Sequence, residues 1–132
     1  MTHFKATHEP FDYPERNKDL NKDVVFPEPN SLYEFDPKDS GRKHIGQIVE
    51  NLTERWVNDT KNNLGRYPGL PFLINGLNKK EIRSKTYQKF IGDFIKSGAA
   101  IDDNIVKILD YLEKEKLIEN TIIIYTSDQG YF

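Results

Sequence analysis

A regular spacing of apolar side chains in the second half of the chain constrains the fold more than any other feature. The apolar positions recur every three or four residues, which places them on one face of an α-helix. They are Tyr87, Phe90, Ile91, Phe94, Ile95, Ile101, Ile105, Ile108, Leu109 and Leu112. Asn78, with Glu81 three residues later, fits the capping box that begins a helix. The pattern predicts one helix with a weak point at Gly98, or two helices, over roughly 80 to 116.

A β-branched run at 121–125 follows this helical stretch after a short turn at 117–120. The run is short and apolar, as buried strands of parallel sheets are. Helix, short turn and buried strand make up half of a βαβ unit. We therefore expect an α/β fold with a parallel sheet.

Polar residues stand directly after the expected strand, with Asp128 and Gln129 followed by Gly130. In open α/β sheets, ligands gather beyond the carboxyl ends of the strands. A carboxylate next to a carboxamide oxygen suits a hard cation such as calcium, which takes oxygen ligands. The same three residues are also typical of an ordinary turn.

Five prolines lie in the first 37 residues: Pro10, Pro14, Pro27, Pro29 and Pro37. Each removes a backbone donor and biases the preceding residue away from the helical region, so 9–37 should be extended or irregular. A helix is expected between Gly41 and Val57, where apolar residues again recur at helical spacing. Glycines and prolines predict another loop at 62–76.

The composition excludes several classes of function. Charged residues make up 30% of the chain and hydrophobic residues 36%, and the formal net charge is −2. Acidic and basic residues are mixed, so the sequence offers no basic stripe for nucleic acid. No apolar run approaches the ~18 residues of a membrane span. The absence of cysteine excludes disulfides and thiolate ligands.

Lys5 and His8 are the candidate functional residues near the start of the chain, next to the proline-rich segment. Either cation could hold an oxyanion, and a histidine can also transfer a proton near neutral pH. The alternative is that both are solvated residues near a chain terminus. Asp102 and Asp103 are adjacent on the expected helix and point about 100° apart, so we interpret them as surface carboxylates.

Three stretches, taken in order, resemble the sulfatase family of the alkaline-phosphatase-like superfamily. HFKATHEPFDYPER (3–16) is similar to the segment that carries a sulfate-binding histidine. SKTYQKFIGDF (84–94) is similar to the start of a long helix, and 97–132 to the helix, turn and strand that lead to a pair of metal ligands. The stretch 17–80 resembles, more loosely, an insertion found in sulfatases that act on sulfated sugars.

The resemblance implies a role for each matching residue. His8 would contact the sulfate ester and help to protonate the leaving oxygen, and Lys5 would add a minor electrostatic contribution. Asp128 and Gln129 would be two protein ligands of a calcium ion. Related zinc phosphoesterases usually have a histidine at the position of Gln129, so its oxygen favours the sulfatase over the phosphoester hydrolase.

The resemblance also implies a division of the chain into three parts and the absence of the family's nucleophile. Residues 1–16 would be a strand end and sulfate-binding segment, 17–80 a loop-rich insertion, and 81–132 a helix–turn–strand ending in the metal ligands. The family's nucleophile, a formylglycine made from Cys or Ser in a Cys/Ser-x-Pro-x-Arg motif, is absent from these 132 residues. We therefore expect an interior slice of a sulfatase catalytic domain, weakly active or inactive alone, whose partner would be the remainder of that domain.

Three functional hypotheses follow. The first is part of a calcium-dependent sulfuric ester hydrolase that acts on sulfated carbohydrates. The second is part of a phosphodiesterase or phosphonate hydrolase of the same superfamily. The third is a truncated, non-catalytic chain that binds a partner or a sulfated glycan, or that has no remaining function.

Overall fold

Two helices of unequal length organise the chain. The computed structural model describes residues 2–33 and 49–127, and in these residues the helices are α1 (Val49–Lys61) and α2 (Lys79–Lys114). Single turns of 3₁₀-helix lie at Glu15–Asn17, Asn30–Leu32 and Ile118–Asn120. Neither described helix combines the length and the apolar character that crossing a membrane requires.

The long helix α2 begins at the predicted capping box. The Glu81 amide donates to Asn78 Oδ1 at 3.0 Å, and the Asn78 amide donates to Glu81 Oε2 at 2.7 Å. Gly98 lies inside the helix without interrupting it, which confirms the single-helix alternative. Its 36 residues, at a rise of 1.5 Å each, span about 54 Å.

The shorter helix α1 packs against the first half of α2. The described part of the helix expected between Gly41 and Val57 begins at Val49 and extends to Lys61. The hydroxyls of Thr53 and Thr86 lie 2.6 Å apart between the two helices, and both threonines are buried.

Aromatic side chains form most of the core between the helices. Its buried members are Phe11, Leu52, Trp56, Tyr67, Phe72 and Phe90. The rings of Phe11 and Phe90 meet edge to face with centroids 5.3 Å apart, and those of Trp56 and Phe72 at 5.1 Å. Such pairs stabilise a fold by roughly 0.5–1.5 kcal/mol each beyond the burial of their area.

The proline-rich segment runs along α2 in the opposite direction. The described residues 9–33 contain no α-helix, as the prolines predict. Four hydrogen-bonded pairs mark the course of the segment from the carboxyl half of α2 towards its amino end: Arg16–Asp103, Asn17–Lys96, Phe26–Gln88 and Leu32–Arg83. The side chains of Gln88 and Arg83 satisfy backbone groups of the segment, and the side chains of Arg16 and Asn17 donate to α2.

The expected parallel sheet is not formed, and the prediction of an α/β fold is wrong for the described residues. They contain helices, turns and loops but no strand. The run at 121–125 has no strand beside it within residues 2–33 and 49–127, and Ile122 and Ile124 are 89% and 81% exposed. A β-branched sequence favours extended backbone, but a sheet also requires a second strand for its hydrogen bonds.

Candidate functional site

A hydrogen-bonded turn carries the two candidate residues of the amino-terminal segment. The His8 amide donates to the Lys5 carbonyl at 3.0 Å, and the Phe11 amide donates to the His8 carbonyl at 3.1 Å. The side chains of Lys5 and His8 are both exposed. The structure therefore places both residues on one turn, where their side chains are accessible to an anion from solvent.

Phe11 fixes one end of this turn in the core. Its side chain is fully buried, and its φ of 61° lies in the left-handed region that bulky residues rarely adopt. Such a backbone conformation costs about 1–3 kcal/mol and persists only where the surroundings hold it. Here the contact with Phe90 holds the ring, so packing stabilises the strained end of the turn.

The ring of His8 is oriented by the next residue. Its Nδ1 lies 2.6 Å from the backbone carbonyl oxygen of Glu9. Because a carbonyl oxygen can only accept a hydrogen bond, Nδ1 carries the hydrogen, and Nε2 is the nitrogen left for a ligand. In the neutral ring Nε2 is an acceptor, and in the imidazolium it is a donor.

The side chain of Glu9 points the other way, towards α1 and the loop that follows it. Its carboxylate accepts hydrogen bonds from Arg55 and from the Tyr67 hydroxyl, and it is only 15% exposed. Burial, followed by the hydrogen bond to Glu9, raises the pKa of Tyr67 to about 12. The Tyr67 hydroxyl is therefore protonated at neutral pH and donates a hydrogen bond to Glu9.

A second buried carboxylate holds Tyr67 in place. Asp59 is fully buried, and its Oδ2 accepts from the amides of Arg66 at 2.7 Å and Tyr67 at 3.2 Å. The Tyr67 ring also packs edge to face against Trp56 at 6.4 Å. Asp59 thus fixes the loop after α1 in the position from which Tyr67 reaches Glu9.

Sequence reasoning missed this supporting network of Glu9, Arg55, Asp59 and Tyr67. One signal was present, because Asp59 continues the apolar stripe of α1 at helical spacing from Leu52 and Trp56. A carboxylate at a core-facing position is buried only when donors satisfy it. The pattern thus pointed to a polar contact at Asp59, although not to its partners.

The two predicted metal ligands, Asp128 and Gln129, lie outside the described residues. Within 2–33 and 49–127, no group of three or more His, Cys, Asp or Glu side chains is placed to hold a metal ion. Asp102 and Asp103 are exposed on α2, and Asp103 forms an ion pair with Arg16 at 2.9 Å. Their interpretation as surface carboxylates is confirmed.

Comparison with known proteins supports the resemblance seen in the sequence. The sulfatase family model matches residues 1–131. The chain is 29% identical over 162 aligned positions to an N-acetylglucosamine-6-O-sulfatase of Bacteroides thetaiotaomicron. That alignment covers the whole of this chain and 29% of the relative's length. No solved structure matches. Because the family match extends over nearly every residue, the chain belongs to the sulfatase family.

Proposed function

We propose that this chain provides the sulfate-contacting part of a calcium-dependent sulfatase that acts on sulfated carbohydrates. The family match over residues 1–131 supports this proposal most strongly. The relative named as an N-acetylglucosamine-6-O-sulfatase suggests a sulfate ester on an amino sugar as the substrate class. The exposed position of His8 is consistent with it.

His8 is proposed to bind the sulfate ester through Nε2 and to protonate the departing alcohol. Hydrolysis of a sulfate monoester breaks the bond between sulfur and the bridging oxygen, and that oxygen needs a proton as negative charge develops on it. With Nδ1 bonded to the Glu9 carbonyl, the imidazolium directs its other N–H outward as the donor. Lys5, exposed on the same turn, adds positive charge for the anionic ester.

Asp128 and Gln129 are proposed as two oxygen ligands of calcium. When bound, the ion would offset negative charge on the sulfate oxygens. Calcium takes about 6–8 oxygen ligands, so these two residues supply only part of the set. The described residues add no metal cluster of their own, and the remaining ligands would come from other parts of the intact enzyme.

The nucleophile would also come from outside this chain. The 132 residues include no cysteine, and none of the serines begins a Ser-x-Pro-x-Arg motif. Without an activated nucleophile the covalent step cannot take place. We expect the chain by itself to bind a sulfated sugar weakly and to hydrolyse no aryl sulfate.

Exposed apolar residues support the proposal that further parts of a sulfatase domain pack against this chain. They lie in the second half of α2 and the residues after it: Val106, Ile108, Tyr111, Leu117, Ile122, Ile123, Ile124 and Tyr125. Large exposed apolar patches usually mark surfaces that another protein segment covers. We propose that the rest of the sulfatase domain covers these exposed side chains.

Nuclear magnetic resonance with isotope-labelled protein tests the proposal directly. N-acetylglucosamine 6-sulfate should shift the ring resonances of His8 and the amide of Lys5, whereas unsulfated N-acetylglucosamine should not. His8→Gln should abolish the shift of the Lys5 amide, and His3→Gln, at another exposed histidine, should retain it. Absence of any shift at His8 would show that the proposal is wrong.

The same titration separates the two kinds of ester. A stronger response to N-acetylglucosamine 6-phosphate than to the sulfate would favour the phosphoester hydrolase. Turnover of an aryl sulfate by the purified chain, lost in His8→Ala, would contradict the expected inactivity.

A further inference from the structure

We infer that Glu9, Arg55 and Tyr67 are positioning residues for His8. They set which ring nitrogen faces a sulfate ester, an inference that rests on the proposed function of His8. None of the three would touch the substrate itself. Their effect would pass through the backbone of Glu9, which contacts the His8 ring on one side and the rest of the fold on the other.

Glu9 connects two sets of contacts. Its backbone carbonyl accepts from His8 Nδ1, and its carboxylate accepts from Arg55 and Tyr67. A rotation of residue 9 that broke the carboxylate contacts would also displace the carbonyl that fixes the histidine ring. The two interactions are therefore mechanically coupled through a single residue.

The partners of Glu9 come from distant parts of the sequence. Arg55 lies in α1, 46 residues away, and Tyr67 lies in the following loop, 58 residues away. Local sequence around the turn thus cannot supply these contacts. The contacts make the segment 49–67, within the part of the chain that resembles a loop-rich insertion, a support for the His8 turn.

Burial and charge both strengthen the contacts of the Glu9 carboxylate. The Glu9 side chain is 15% exposed. The guanidinium of Arg55 balances its charge, and the uncharged hydroxyl of Tyr67 donates a hydrogen bond to it. Water competes poorly for a charge-assisted hydrogen bond at such a position. Tyr67 is in turn held by the buried carboxylate of Asp59 through its backbone amide.

The carboxyl end of the turn is also fixed by the packing of Phe11 against Phe90. Phe11 has a positive φ that its surroundings must maintain. Strained backbone, here three residues after His8, is a recurring feature of sites whose geometry is fixed before binding. Glu9 and Phe11 together anchor the residues that directly follow His8.

The test combines four variants with two measurements. Glu9→Leu removes both carboxylate contacts, Glu9→Gln retains an acceptor for Tyr67, and Tyr67→Phe removes one hydroxyl. Glu50→Leu is the control, since it removes an ion pair between α1 and α2, that of Glu50 with Arg83, and leaves Glu9 bonded to Arg55 and Tyr67. Long-range nitrogen–proton spectra of the ligand-free chain report the His8 tautomer, and titration with N-acetylglucosamine 6-sulfate reports affinity.

We expect Glu9→Leu to lower the fraction of the Nδ1–H tautomer and to weaken sulfate-ester binding roughly 5- to 10-fold, about the factor for one lost hydrogen bond of ordinary strength. Glu9→Gln should change the tautomer fraction and the affinity less than Glu9→Leu does. Tyr67→Phe should also cause a smaller loss of both than Glu9→Leu. Glu50→Leu should change neither measurement, even where its loss of stability in urea is similar.

Two results would overturn the inference. One is an unchanged His8 tautomer in Glu9→Leu and Tyr67→Phe, and the other is an equal change in Glu50→Leu. If the unmodified chain binds no sulfated sugar while Glu9→Leu still alters the tautomer, the proposed function fails but the positioning of His8 stands. If Glu9→Leu does not fold, Glu9→Gln and Tyr67→Phe decide the question.

Discussion

The Tyr67 hydroxyl donates a hydrogen bond to the carboxylate of Glu9 across 58 residues of sequence. This bond links the loop after α1 to the turn that carries His8. Burial and the neighbouring carboxylate both disfavour the tyrosinate form, which is why the pKa of Tyr67 is raised from 10.0 to about 12.

The raised pKa predicts a loss of stability in strong alkali. Because the folded state holds the Tyr67 proton more tightly than the unfolded chain, the contribution is complete below the unfolded pKa of 10.0 and is lost as the pH rises towards about 12. Urea unfolding at several pH values should show the free energy of unfolding falling across this window. Tyr67→Phe should reduce that fall, whereas Tyr111→Phe, at a residue that is 59% exposed, should not.

A second prediction concerns the buried hydroxyl pair between α1 and α2. Thr53 Oγ1 donates to the Val49 carbonyl at 3.1 Å, so Thr86 is the donor in the 2.6 Å contact between the two threonines. Thr86→Val leaves a buried acceptor unpaired and should lower the free energy of unfolding by about 1–2 kcal/mol. The double variant with Thr53→Val should lose less than the sum of the single losses, by about 1 kcal/mol. Additive losses in urea unfolding would show that the pair does not interact.

Gly98 is predicted to tolerate a larger residue. A Cβ atom there would lie 3.7 Å from the Thr7 methyl group, an ordinary contact, and the helix continues through this position. Gly98→Ala should therefore raise the free energy of unfolding by about 0.5–1 kcal/mol, because glycine has more backbone freedom to lose. Gly65 is the control, since its φ of +61° would strain alanine. Gly65→Ala should destabilise, and a destabilised Gly98→Ala would contradict the prediction.

The Gln88 side chain is predicted to protect the backbone of the proline-rich segment. Its Oε1 accepts from the Phe26 amide at 2.8 Å, and its Nε2 donates to the Phe26 carbonyl at 2.9 Å. Gln88→Met removes both bonds, together with a third from Nε2 to the Glu28 carboxylate, and hydrogen exchange at the Phe26 amide should accelerate roughly 10-fold. Tyr87→Phe removes a bond to the Pro27 carbonyl instead and should leave that amide nearly unchanged. Equal acceleration in both variants would indicate general loosening of the segment.

The helices were predictable because their signals are local. Asn78 and Glu81 are three residues apart, and the hydrogen bonds that form the cap lie within the same turn. The apolar stripe of α2 also follows from residue spacing alone. The sequence left the effect of Gly98 open, and the structure decided it in favour of one continuous helix.

The hydrogen-bond network that supports the candidate site was far less predictable. His8 and Lys5 stood out by residue type, and the family resemblance that gave them roles is confirmed by the match over residues 1–131. The network around Glu9 joins residues that are 46 and 58 positions apart. No local pattern indicates which arginine or tyrosine will reach a given carboxylate.

By itself, the sequence determined the helices, the irregular course of residues 9–33 and the family. Those features depend on backbone propensity, capping and residue order, which act over a few positions. Only the tertiary structure decided that Glu9 and Asp59 would be paired and largely shielded from solvent. It also decided that 121–125 would be exposed, with no partner strand in the described part of the chain. Burying a charge or forming a sheet requires a partner from elsewhere in the chain, and long-range packing determines whether that partner arrives.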